Sequence, residues 1–106
     1  MTPLAVSLPA SPARVDEYAR ALAALPAETV PEVLGRLDAA VAEAERTGDV
    51  EPVRHLLDSL LMTARLQGNE AYLRAVEDAD AAEARGDEVP EDVGDFVARM
   101  RATYGG

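Results

Sequence analysis

The stretch D-V-E-P-V-R-H-L-L-D-S-L-L-M-T-A-R-L-Q-G, from Asp49 to Gly68, reads as one helix with both ends marked. Asp49 is a good N-cap, because its short carboxylate can accept a backbone N–H that the first helical turn leaves unpaired. Pro52 is tolerated in that turn, where a missing N–H costs nothing. Val53, Leu56, Leu57, Leu60, Leu61 and Ala64 recur at helical spacing and make the most apolar stripe of the chain, which places the centre of the core here. Gly68 ends the helix.

The same punctuation repeats on either side. Upstream, Ser11 and Pro12 open a first helix as N-cap and first helical residue. Val15, Tyr18, Ala19, Leu22 and Leu25 line its inner face, and Pro26 stops it. Thr29 and Glu32 have the spacing of a capping box at the start of a second helix. Val33, Leu34, Leu37, Val41 and Ala44 share one side of that helix, and Gly48 is placed to be its left-handed C-terminal residue. Downstream, Asn69 caps a fourth helix with Tyr72, Leu73, Val76 and Ala79 facing inward. Its later turns hold Ala, acids and Arg85 but no large apolar group, and are expected to fray without a partner. Gly86 and Pro90 bracket a short extended connection, and Pro90 can open a fifth helix bearing Val93, Phe96, Val97 and Met100 on one side. No segment alternates with the period of two that a half-buried strand requires. The expectation is all-α: a small bundle of four to five helices with an acidic C-terminal segment. Residues 1–10 are read as a flexible N-terminus, 11–86 as the helical domain, and 87–106 as an acidic connection plus an amphipathic C-terminal helix.

One domain is what 106 residues allow. Tyr18, Tyr72, Phe96 and Tyr104 are the only aromatic residues, so the core must be built from Leu, Val and Ala and is thin. Cysteine is absent, which removes disulfides, thiolate nucleophiles and Cys-ligated metals together. No run approaches the ~18 apolar residues of a membrane span. Pro3 and Pro9 interrupt the mildly apolar start and no base precedes it, unlike a secretory signal. A cytoplasmic protein is expected. All ten bases are Arg, as in chains from high-GC genomes.

Charge is the most uneven property of the chain. Between Glu77 and Asp95, nine acids face a single base, Arg85, and this stretch holds eight of the ten net negative charges. Clustered like charge repels nucleic acid and anionic lipid and attracts a basic protein. Chemistry-bearing constellations are hard to find. His55, the only histidine, has Glu51 and Asp58 at i−4 and i+3, but one helix rarely supplies every ligand of a metal. The acidic run from Asp78 fails as a calcium loop: Glu83 stands where the sharp turn demands Gly, and Val89 where the bidentate acid belongs. A helix-turn-helix drawn through T-G-D has only Arg54 and Arg65 on its reading helix, too few to neutralise several phosphates. No catalytic residue, cofactor site, metal site or direct nucleic-acid contact is expected, and the chain reads as a non-enzymatic protein-binding module.

Two resemblances sharpen that expectation. The segments Ala42–Asp49, Pro52–Leu57 and Ala81–Gly86 resemble a family of short, acidic, uncharacterised actinobacterial proteins, which implies the helix layout and no activity. The run A-E-A-R-G-D-E-V-P-E-D-V, from Ala82 to Val93, is similar to the tails of type II antitoxins of the Phd and RelB kind. That likeness implies a tail that wraps a basic toxin of the RelE/ParE type. The contacts it implies are Val89, Val93, Phe96, Val97 and Met100, with Asp87, Glu88, Glu91 and Asp92 as charge partners. The β-containing dimerisation and operator-binding region of Phd-type antitoxins has no counterpart in residues 1–60. The competing expectation is a self-associating helical scaffold, in its simplest form a homodimer, with the fifth helix folded back onto the third to complete the chain's own core.

Overall fold

Local signals for starting and stopping a helix divide the chain into five, seen in the computed structural model, which describes residues 8–86 and 90–104. These are α1 (Pro12–Ala24), α2 (Val30–Thr47), α3 (Glu51–Gln67), α4 (Glu70–Arg85) and α5 (Val93–Tyr104). The Ser11 hydroxyl accepts the Arg14 N–H at 3.2 Å and the Asn69 side chain accepts that of Tyr72 at 3.0 Å, so both expected caps form. Gly48 closes α2 at φ +80°, a left-handed conformation that other residues adopt only with strain. From α2 to α5, each helix has an acid in its first turn (Glu32, Glu51, Glu70, Asp95) and an Arg in its last (Arg46, Arg65, Arg85, Arg101), the arrangement that favours the helix dipole.

Four boundary expectations are corrected. Pro90 does not open the last helix: α5 begins at Val93, where the Asp92 side chain accepts the Gly94 N–H at 2.6 Å. The Thr29–Glu32 capping box does not form: Thr29 has helical backbone angles, and its N–H bonds to Pro26 O at 2.9 Å in a turn that leads into α2. Glu32 is paired instead with Arg36 one turn on, at 2.9 Å. Asp49 does accept a first-turn N–H, that of Glu51 at 3.0 Å, but from one position before the helical boundary at Val50. Residues 8–10 are not a loose extension. Pro9–Ala10 (β1) pairs antiparallel with Glu91–Asp92 (β2), and the Val93 N–H reaches Leu8 O at 3.2 Å.

In space the helices are ordered α4, α1, α3, α2, α5, with α1 packed against α4 and α3, and α2 against α3 and α5. The central stripe of α3 sits where expected, with Val53, Leu57, Leu60 and Ala64 buried between α1 and α2. On α4 the buried face is Tyr72, Ala75, Ala79 and Ala82, so Leu73 is turned outward and is 40% exposed. Alanines let α4 lie close against α1, and its C-terminal turns do not hang free: Ala79 and Ala82 are sealed, and the Gly86 N–H bonds to Ala82 O and Glu83 O.

The C-terminal helix is part of the core. Val93, Phe96 and Val97 are buried and Met100 packs against them from the edge. Their neighbour is α2 rather than α3, and the Phe96 ring lies 5.8 Å from that of Tyr18 on α1. Residues 93–104 are therefore no appendage on a finished domain, because their buried side chains close the fold.

Candidate functional site

The stripe expected to grip a partner is occupied. Val93, Phe96 and Val97 have at most 2% of their surface exposed, and a side chain already surrounded by its own core has no apolar area left to offer. Met100 is partly covered by the same cluster. Asp92 turns inward to its own helix, accepting the Gly94 N–H at 2.6 Å as an N-cap. The backbone of Glu91 belongs to β2. Asp87, Glu88 and Val89 lie outside the described residues. The structure therefore brings Val93, Phe96, Val97 and Met100 together as an internal seam with α2, with Asp92 as the cap at the start of α5.

A polar cluster that the sequence did not reveal joins α1 to α4. Glu17 is fully buried, the only charged residue so placed among the described residues. Its carboxylate is bonded to the Arg14 guanidinium and lies 3.3 Å from the Tyr72 hydroxyl, which also donates to Leu61 O at 3.1 Å. Arg14 reaches across to α4 as well, to Asp80 and Glu83, each at 2.6 Å. Burial pushes the Tyr72 phenol above its ordinary range and the Glu17 charge adds to that, so at neutral pH the hydroxyl keeps its proton and remains a donor. The hydrogen bond from Arg14 holds the Glu83 carboxyl below the usual carboxylate range. Among the described residues every buried side-chain N or O atom has a hydrogen-bond partner, so the cluster is closed upon itself and works as a clamp. Arg14 at i−3 was the one sequence signal for Glu17, and such pairs are common on exposed helix faces.

The depressed Glu83 carboxyl makes the clamp sensitive to acid, in a direction that follows from linkage. A group whose pKa is lower when folded contributes stability that is complete above its unfolded value, near 4.5, and lost as pH falls through the folded value. Amides of α4 are therefore expected to exchange faster relative to those of α3 at pH 3 than at pH 7, after correction for intrinsic rates. Unchanged relative protection of α4 would contradict that coupling.

The outer side of α3 is the other notable surface. His55, Ser59, Met62 and Leu66 follow one another at steps of four, three and four and share one exposed face, flanked by Pro52, Leu56 and Thr63. None of these side chains carries a formal charge, but Glu51, Asp58 and Arg65 border the face on the Met62 side, and Asp58 and Arg65 line a shallow recess with Leu61 and Met62. Met62 is 65% exposed and Leu66 82%. Beside them lies a shallow recess of about 180 Å³, lined by Leu25, Val33, Leu56, Leu60, Thr63 and their neighbours, with Arg36 at its rim neutralised by Glu32. The spacing is legible in the sequence, but the inward stripe of the same helix is the more apolar of the two.

His55 is exposed, and among the described residues no three His, Asp or Glu side chains converge as a metal site. Nor does any described helix have the length and apolarity to cross a membrane. No protein-family model matches the sequence, and neither a curated protein nor a solved structure is significantly similar to it.

Proposed function

We propose that this chain is a non-enzymatic, all-α structural module of the cytoplasm that works by associating with itself. The observation that carries the reading is the exposure of Met62 and Leu66, one turn apart on the outer side of α3. Isolated apolar side chains on a surface are ordinary, but two large ones one turn apart, beside the half-buried Leu56, in a chain with 28% charged residues are the kind of surface that a partner covers. The cysteine-free composition suits a reducing compartment. Antitoxin-like neutralisation of a basic RelE/ParE-type toxin ranks below this reading, because the apolar half of that grip would have to leave the core first.

Sedimentation equilibrium tests the proposal directly. The expected result is reversible association with a dissociation constant of about 1–100 μM, the weak range that suits an interface below standard size. A single species of 11.2 kDa up to roughly 1 mM would remove the proposal, since that concentration corresponds to only ~4 kcal/mol of binding free energy.

A further inference from the structure

We infer that the recess between α1 and α4 is a binding site for a small zwitterion, with Arg20 and Arg74 at its anion end and Asp16 and Asp78 at its cation end. The site is independent of how copies of the chain associate. The direction of the two helices sets this order. Pro9–Ala10, just before α1, pairs with Glu91–Asp92, just after α4, and Arg14 meets Asp80 and Glu83, so α4 runs antiparallel to α1. Equal steps along the two helices then bring Arg20 level with Arg74, and Asp16 level with Asp78. Base faces base and acid faces acid across the seam, where a slide of one turn would have paired opposite charges. Among the described residues Asp16, Arg20 and Asp78 have no ion-pair partner, and Arg74 meets only Glu70, at 3.8 Å and well exposed to water. Further along the same seam Arg14 is closed upon three acids, so the fold neutralises charge there and leaves these four groups uncompensated. A break in local consistency of this kind is characteristic of functional sites.

The chemistry of the occupant follows from the two ends. Guanidinium groups offered by different helices suit a carboxylate, which accepts N–H bonds on both oxygens. A simple anion is repelled by a chain of net charge −10, and a simple cation finds acids over much of the surface. A zwitterion has no net charge to be repelled and is oriented by this recess alone. One turn separates Asp16 from Arg20, and Arg74 from Asp78, an axial distance of about 6 Å. The charges of extended 4-aminobutyrate lie roughly 5–6 Å apart by ordinary bond lengths, and those of glycine only about 3 Å. The ligand class is therefore an amino acid whose ammonium and carboxylate are one helical turn apart. Ala71 and Ala75 project only methyl groups into the recess, which keeps about 250 Å³ open, more than the ~150 Å³ cavity that admits benzene.

The test titrates 4-aminobutyrate into the full chain, followed by the amide shifts of α1 and α4, with butyrate, butylammonium and glycine as comparisons. The expected result is saturable binding with a dissociation constant of about 1 mM, and at least roughly 5-fold weaker binding of each comparison. No saturation below about 20 mM, or butyrate or butylammonium bound as tightly, would overturn the site. A charge exchange, Asp16→Arg with Arg20→Asp, keeps the composition and sets acid opposite base across the seam. That variant should lose binding by roughly 10-fold or more, and without ligand should melt about 2–8 °C above the wild type. Retained binding, or a midpoint that does not rise, would show that like charges are not apposed and would overturn the inference. If the exchange alters the fold, Arg74→Gln and Asp78→Asn decide: both side chains are exposed, and each substitution is expected to weaken binding roughly 5-fold, whereas unchanged affinity in both would remove the site.

Discussion

Phe96→Ala is expected to lower the thermal midpoint by at least about 12 °C, and to leave part of the chain unfolded at 37 °C. Removing a fully buried Phe costs about 3–5 kcal/mol in transfer and cavity terms, and the whole stability of a domain this size is only about 5–15 kcal/mol. In a domain of ~100 residues each kcal/mol is worth roughly 4–8 °C. The ring is fully enclosed, tilted at 51° to Tyr18 with centroids 5.8 Å apart, and the Arg99 guanidinium lies 5.9 Å from its centre. An aromatic pair adds about 0.5–1.5 kcal/mol beyond its buried area. No other Phe and no Trp exists to take its place. A melt followed by circular dichroism checks the expectation, with Arg74→Ala as the control, since a 75% exposed side chain should shift stability by no more than about 0.5 kcal/mol. If Phe96→Ala melted like that control, the C-terminal helix would be a spare anchor held for a partner, and the toxin-binding alternative would regain its apolar half.

The contrast between Phe96 and Ser11 shows which features a single sequence makes legible. A cap is a local contract: Ser11 or Asn69 needs only the residue three positions on, so their roles were readable and both hydrogen bonds form. The capping box at Thr29 looked equally local, yet the preceding Pro26 draws Thr29 into a turn with helical angles, from which its hydroxyl does not cap the helix. An amphipathic stripe says that a helix will bury one side and leaves open what buries it. Val93, Phe96, Val97 and Met100 have the same spacing whether they face α2 or a foreign groove. On α4 the expected stripe differs at one position: Tyr72 and Ala79 are buried and Val76 packs against the core, but Leu73 carries more hydrophobic weight than Ala75 and Ala82. Close approach to α1 favours the alanines all the same, and Leu73 is left outside. The concentrated acidity suffered a related fate. Asp80 and Glu83 bind Arg14 and Asp92 caps α5, so part of what reads as an adhesive surface is spent within the fold.

Arg14 and Glu17 should respond asymmetrically to substitution, and the asymmetry identifies their role. Arg14→Ala removes the cation that compensates a fully buried carboxylate, and breaking such a pair from one side costs about 3–5 kcal/mol. Tyr72 remains as a donor, but its single proton is shared between Glu17 and Leu61 O, so it cannot replace a guanidinium. Glu17→Met should be far milder. Arg14 keeps Asp80 and Glu83 at 2.6 Å each, Tyr72 keeps Leu61 O, and replacing a buried charge by an apolar group of similar volume is often neutral. The double variant Arg14→Ala with Glu17→Met is therefore expected to recover most of what Arg14→Ala alone loses, a coupling of roughly 2 kcal/mol in a double-mutant cycle followed by urea unfolding. Additive losses would mean that Arg14 acts through its exposed pairs with α4. The cost would then lie in Asp80 and Glu83, where ion pairs with half-exposed partners are worth about 0–1 kcal/mol each. A large positive coupling instead places the stabilising contact at Glu17, inside the seam, where a charge has no solvent to fall back on and α4 stays docked on α1 for as long as Arg14 is there to meet it.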